Sequence, residues 1–235
     1  VFFTRDRSPV RGILSHMQPT LLAGIPSAND TLYHAIRFSA GDPAALIDDG
    51  RERLLIIRDI EMDRARAHAR ADRVACPADF TPENGLSGDR ETATAQATAE
   101  AIRQSGATSV RSDRTLPFSF LAAARTAGIE VEYDADLGVS DRRSKDEEEL
   151  DALRTSQAAT QAAIAMACET IAGATADADG MLQLDGDVLT SERMRRMIDV
   201  FLLDCDHDNP SSIVAGGPQG GDCHNIGYGA LRTGE

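Results

Sequence analysis

The sequence predicts an α/β layer domain over roughly the first 135–140 residues, followed by a region dominated by two helices. Three observations predict it. Short apolar runs alternate with helical patterns through the first half, and the turn pair Asp49-Gly50 separates two such runs. Gly106 and Gly128 each stop a helical segment just before a new apolar run.

In order along the chain, Ala44–Asp48 and Leu54–Arg58 flank Asp49-Gly50 and predict a β-hairpin. Ile60–Arg70 predicts a charged, Ala-containing helix. Pro77, Pro82, Asn84, Gly85 and Gly88 mark a loop. Glu91–Ser105 predicts an Ala-rich helix ended by Gly106, and Thr108–Ser112 a strand. Leu116–Ala127 predicts a further helix, ended by Gly128 before a strand over Ile129–Tyr133. Asp134–Arg143 reads as a polar connector.

Ser144 and Glu147 then predict a capping box, in which the two side chains satisfy backbone donors at the start of a long helix. Leu150, Leu153, Ile164, Cys168 and Ile171 fall on one stripe of that helix, interrupted by Gln157 and Gln161, and Gly173 is expected to end it. Thr190-Ser191-Glu192 opens a second helix, where Met194, Met197, Ile198, Phe201 and Leu202 have the spacing of a buried face. Ser212–Ala215 predicts a short strand before a Gly-dense tail, Gly216 to Gly234.

Composition excludes several function classes. With 38 acidic against 24 basic residues the formal charge is −14, and hydrophobic residues make up 42%, enough for a sizeable core. Lys145 is the single lysine and no Lys/Arg-rich block exists, so a nucleic-acid partner is not expected. Aromatics are 4% with no Trp, which removes stacking platforms for single strands as well. No apolar run approaches the roughly 18–20 residues that span a bilayer. Cys76, Cys168, Cys205 and Cys223 are widely spread, and Val1–Arg5 lacks a basic segment followed by an apolar one, so reduced thiols in a cytoplasm are expected. Residue 1 is Val rather than Met, and Glu235 closes the Gly-rich stretch; a fragment of a longer protein is the expectation.

The motifs that invite specific chemistry are weak on their own. Gly216-Gly217-Pro218-Gln219-Gly220-Gly221 lacks the Gly-Lys-Ser/Thr ending of a phosphate loop, and a turn-rich connector is the better reading. A calcium loop counted from Asp204 places Asn209 and Ala215 where Gly and Glu are needed; counted from Thr175, Gly186 occupies the Glu position. Cys205-x-His207 with Cys223-His224 offers four soft ligands but no Cys-x₂₋₄-Cys knuckle, and Cys205 following an apolar helix face reads as a buried thiol. A Cys223–His207 catalytic pair has no spacing signature, and no G-x-S-x-G elbow is present.

Taken together, Lys145 through Glu235 carry more information. A Glu-rich helix start leads into Leu150-x-x-x-Arg154-Thr155-Ser156-Gln157-Ala158. Leu189-Thr190-Ser191-Glu192 follows, then Ile213-Val214-Ala215-Gly216-Gly217-Pro218-x-x-x-Asp222-x-His224 and Gly227-x-Gly229-x-Leu231-Arg232-x-Gly234-Glu235. This ordered set resembles the pita-bread metallopeptidases, specifically the Xaa-Pro aminopeptidase and Xaa-Pro dipeptidase (prolidase) branch that includes creatinase. The first half is similar to their N-terminal domain at Leu32–Phe38, Asp42-Pro43, the hairpin, and Asp59-Ile60-Glu61-x-Asp63-Arg64-Ala65-Arg66.

The resemblance implies an α/β creatinase-like N-terminal domain, a mixed sheet with flanking helices, over residues 1–139. It implies the incomplete start of an α+β pita-bread catalytic domain over residues 140–235. The implied activity is hydrolysis of peptide bonds adjoining proline, with a proline-containing peptide as substrate and a homodimer as the assembly. The residue matching His224 contacts the substrate carbonyl and helps stabilise the tetrahedral intermediate, as an imidazole donor beside a developing oxyanion can. Cys223 precedes it where Pro is common in this branch. The implied cofactor is a pair of divalent ions (Mn, Co or Zn) held by two Asp, one His and two Glu, and generating the attacking hydroxide. The first of those ligands follows the turn matching Gly234-Glu235, so none of the five maps onto this chain and no bound metal is expected. Inactivity of these residues alone follows, with exposed apolar faces on the two helices, whose covering strands lie downstream. The alternative is a non-catalytic pseudo-peptidase module for protein binding or dimerisation.

Overall fold

The structure, a computed structural model, describes residues 18–235. The reading of Val1–Arg5 lies outside the described residues. Two compact units divide the chain, one ending at Ser144 and the other running Lys145–Glu235.

A mixed six-stranded sheet organises the first unit. Its elements are β1 (Thr20–Gly24), α1 (Asp30–Ile36), β2 (Ala44–Asp48), β3 (Arg53–Ile56), α2 (Met62–His68), β4 (Arg73–Ala75), α3 (Arg90–Ser105), β5 (Ser109–Ser112), α4 (Phe118–Thr126), β6 (Glu130–Tyr133) and α5 (Val139–Arg143). The strand order is β4-β3-β2-β1-β5-β6. β2 runs antiparallel to both β1 and β3, whereas β4 is parallel to β3, β5 to β1 and β6 to β5.

Register decides which side chains share a face, because strand side chains alternate. Leu21, Ala23, Ala45, Ile47, Leu54 and Ile56 pack with Ala95, Ile102, Phe120 and Ala124 of α3 and α4. On the opposite face Leu22, Leu46, Leu55 and Ile57 pack with Leu32 and Ile36 of α1 and Ala65 of α2. Both faces are buried, so the central strands read as continuous apolar runs rather than alternating ones.

Local chemistry sets the element ends. Asn29 caps α1, its Oδ1 accepting from Leu32 N at 3.0 Å, and Asp89 caps α3 by accepting from Thr92 N at 2.9 Å. Asp49 closes the β2–β3 turn by accepting from Glu52 N and Arg51 N, each at 2.8 Å, and these donors hold its carboxyl below the usual aspartate range. Gly138 starts α5 at φ +69°, where an added Cβ would lie 2.4 Å from Thr31 Cγ2; backbone and contact both demand glycine.

The second unit contains α6 (Glu147–Gly173), β7 (Thr175–Ala176), β8 (Leu182–Leu184), β9 (Asp187–Val188) and α7 (Ser191–Asp204). Its three short strands form an antiparallel sheet in the order β7-β8-β9. Leu182, Leu189 and Leu231 make its small core, with Ile171, Leu184 and Val214 against it. The tail returns to this core through Leu182 N donating to Leu231 O at 2.9 Å and Leu231 N to Leu189 O at 3.0 Å. Among the described residues, no helix is long and apolar enough to cross a membrane.

Several expectations need correction. The box capping α6 is Asp146–Glu149 rather than Ser144–Glu147: Asp146 accepts from Glu149 N at 2.9 Å, and Glu149 accepts from Asp146 N at 3.0 Å. The chemistry is the same two residues later, and it places three glutamates in the first turn, where the helix dipole favours them. Gly173 is the last residue of the helix, as expected, and extended Ala174 is the C-cap. The connector 134–143 contains α5. The helix expected over Ile60–Arg70 starts as a 3-10 turn, Asp59–Glu61, and α2 ends at His68. Ser212–Ala215 forms no strand; Val214 N donates to Ile226 O at 3.1 Å without a ladder. The apolar stripe of α6 agrees with the expected exposed face: Leu153 and Ile164 are 53% and 59% exposed, and the buried position is Ala163. Of the face expected on α7, Met194 and Leu202 are buried while Met197, Ile198 and Phe201 are half-buried. Cys205 is exposed, because α7 ends one residue before it and the chain turns away.

Glu100 on α3 is buried and charged. Arg103 donates to its two oxygens at 2.8 and 2.6 Å and Gln104 adds a bond of 2.8 Å. Those donors, Arg103 first, pull its carboxyl down to about 2. The folded value lies below the unfolded one of about 4.3, so the stabilisation is complete above about pH 5 and is lost as pH falls toward 2. Thermal unfolding should therefore place Glu100→Gln below the parent at neutral pH and converging on it in acid. Phe120→Ala, at the centre of the α3–α4 layer, should cost about 3–5 kcal/mol in urea unfolding.

Candidate functional site

The Gly-rich tail of the second unit carries His224, and its shape is set by bonds from elsewhere in the same unit. Gly217–Gly221 form a single 3-10 turn with Pro218 inside its first positions. Gln219 next acts as a strand partner: its Oε1 accepts from Tyr228 N at 2.8 Å and its Nε2 donates to Tyr228 O at 3.0 Å. Arg195 of α7 donates to Ile226 O and Gly227 O at 2.6 and 2.7 Å. Glu192 accepts from Gly229 N at 3.1 and 3.2 Å. Backbone donors, its own N–H first and that of Gly229 next, hold the Glu192 carboxyl below the usual range.

Residues 220–227 are thus a loop fastened at both ends, with His224 near its middle. Asp222 Oδ1 accepts from His224 N at 2.9 Å, and His224 Nδ1 lies 3.3 Å from Cys223 Sγ. All three side chains are exposed. Their ligand atoms lie within 4.8 Å of one another, and among the described residues this is the place where three His, Cys or carboxylate atoms converge. Cys205 and His207 do not join them; His207 Nδ1 lies 2.6 Å from Cys205 O. The Cys223–His207 pairing weighed above is therefore replaced by a Cys223–His224 neighbour contact. Donor chemistry decides what this trio can hold. One carboxylate, one thiol and one imidazole on consecutive positions do not fit a paired-ion centre of two Asp, one His and two Glu.

Sequence reasoning singled out His224 and did not single out the residues that fix its loop. Glu192 is visible in the Leu-Thr-Ser-Glu motif, but only as a helix start. Arg195 and Gln219 leave no sequence signal, because their partners are backbone groups 31 and 9 residues away.

No protein-family model matches the chain, and no curated protein matches it. Solved structures do match. The chain is similar to the prolidase of Pyrococcus horikoshii OT3 with a TM-score of 0.66 and 14% identity, over 92% of this chain and 53% of that one. The X-Pro aminopeptidase of Thermotoga maritima MSB8 gives 0.65 at 14% identity, over 92% and 55%. Dipeptidase PepE of Mycobacterium ulcerans gives 0.61 at 18% identity, over 93% and 53%. The fold is that of the Xaa-Pro peptidases. The likeness is one of fold, and the chain spans about half the length of these solved structures. Within it, the mixed sheet and its flanking helices have the arrangement of the creatinase-like N-terminal domain of prolidases.

Gly227 is the tightest point of the His224 loop. It sits at φ +85°, and an added Cβ would lie 1.7 Å from Val214 O, a distance no side-chain shift can relieve. Gly227→Ala should break the Val214–Ile226 bond and destabilise the second unit by about 1–3 kcal/mol. Amide hydrogen exchange would show it as lost protection at Val214 and Gly229, with the first unit unchanged.

Proposed function

We propose that the chain provides the N-terminal domain, residues 1–139, and the opening of the catalytic domain, residues 140–235, of an Xaa-Pro aminopeptidase- or dipeptidase-like metallopeptidase. These 235 residues alone do not catalyse the reaction. The observation that carries this reading is the fold shared over 92% of the chain with a prolidase, supported by the motif set from Lys145 to Glu235. A proline-containing peptide is the substrate, and a cytoplasmic homodimer is the working form.

His224 is the residue assigned to the substrate. Attack on a peptide carbonyl builds negative charge on its oxygen, and a preorganised donor near that oxygen lowers the barrier. With Nδ1 turned toward Cys223 Sγ, Nε2 is the ring atom left to donate. The clamps from Gln219, Arg195 and Glu192 hold the loop backbone, so the ring swings from a fixed base. Two divalent ions (Mn, Co or Zn), when bound by a complete ligand set, supply an activated water. The donors described above do not fit that set, so no step is assigned through them here.

Incubating the 235-residue chain with Mn²⁺ or Co²⁺ and an Xaa-Pro dipeptide should release no proline above the metal blank. Chelator-sensitive release would overturn the inactivity. The coding sequence after Glu235 should continue in frame through two Asp, one His and two Glu in that order; a stop codon directly after Glu235 would sink the peptidase reading and favour a binding module.

A further inference from the structure

A crevice in the first unit, remote in sequence from His224, has the features of a ligand site. β1 and β5 are adjacent parallel strands, yet the helices that follow them leave for opposite faces of the sheet. α1 packs on the face bearing Leu22 and Leu46, and α4 on the face bearing Leu21 and Ile47. Where neighbouring parallel strands send their chains apart, the loops at their carboxyl ends cannot close over one another and a crevice remains. Here it has a volume of about 420 Å³, sized for an amino-acid-like molecule.

Its floor is rigid. Asn29 Nδ2 donates to Ala23 O at 3.0 Å and to Thr115 Oγ1 at 2.9 Å, tying the end of β1 to the β5–α4 loop. Gly24 permits this approach: at φ +142°, a Cβ there would lie 2.9 Å from Asn29 Nδ2. Its charge is unbalanced. Asp113, 7% exposed, stands one hydrogen bond behind Thr115, and among the described residues its carboxylate accepts from Thr115 N at 3.1 Å and Thr115 Oγ1 at 2.8 and 2.9 Å and from no other group. Half-buried Glu91 on the crevice wall accepts from Ser119 Oγ. No cationic side chain among the described residues pairs with either carboxylate. Arg142, on the rim, is engaged by Gly138 O at 3.1 Å and by Asp30 at 3.8 Å. A buried carboxylate and a half-buried one with no paired cation among the described residues favour a cation that can enter.

We infer that this crevice binds a small primary ammonium group, with Glu91 as its direct partner and Asp113 adding field through Thr115. The inference does not depend on the peptidase reading, since every residue it uses lies in the first unit. The ammonium can belong to a free amino-acid amide or to the amino terminus of a peptide.

The test is an amide NMR titration of the whole 235-residue chain with L-alaninamide, trialaninamide and N-acetyl-L-alaninamide. Saturable shifts confined to Gly24, Ile25, Asn29 and Thr115 are expected with the two amines and not with the acetylated compound. Tighter binding of trialaninamide assigns the site to peptide termini; equal binding assigns it to free amines. Glu91→Gln should weaken binding by at least about tenfold, while Glu91→Asp, which keeps the charge, should recover most of it. Equal response to the acetylated compound, or no saturable shift with either amine, overturns the site whether or not a variant folds.

Discussion

The first unit depends on β1. This five-residue strand pairs antiparallel with β2 and parallel with β5, so it alone joins the β4-β3-β2 half of the sheet to the β5-β6 half. Its side chains Leu21 and Leu22 point to opposite faces and enter both cores. Burial on both faces is the constraint behind the rest: it requires helices on both sides, and hence chain exits that diverge at β1 and β5. The crevice with its unbalanced carboxylates follows from the same divergence.

The second unit obeys a weaker constraint. Three leucines centre its core, and one of them, Leu231, arrives from the tail. Large apolar side chains elsewhere in it remain in water, with Ile164 of α6 and Leu203 of α7 59% and 67% exposed. A helix of 27 residues with one buried position gains little from packing on its own account. Its regularity rests on local terms instead, chiefly the Asp146–Glu149 cap and the acidic first turn.

Much of this was legible in the sequence where a local signal existed. Asp49-Gly50 marks the hairpin, Gly106 and Gly128 mark helix ends, and Thr190 marks the start of α7, because each acts on its immediate neighbours. β1 was not legible, since a short strand buried on both faces shows no alternation. The strands β7 to β9, two or three residues each, exist through pairing with one another and escape any window-based pattern. On the α6 stripe periodicity identifies a face without saying what covers it, and the exposure of Leu153 and Ile164 agrees with the expectation of an uncovered face. His224 was singled out through an ordered resemblance, whereas the bonds of Arg195 and Gln219 to the tail backbone, and of Asn29 to the Thr115 side chain, become visible only in three dimensions.

The pairing of Gln219 with both backbone groups of Tyr228 has a wider consequence. One side chain does the work of a strand and closes the neck of the segment between them, so the flanking register depends on that pairing and on the bonds to Ile226 and Gly227 rather than on residues 220–225. Closing a longer noose costs only about 0.6 kcal/mol for each doubling of its length. Insertions and deletions between positions 220 and 225, short of the Ile226 and Gly227 carbonyls that Val214 and Arg195 hold, are therefore the cheapest way for evolution to reshape the loop around His224 without disturbing the leucine cluster.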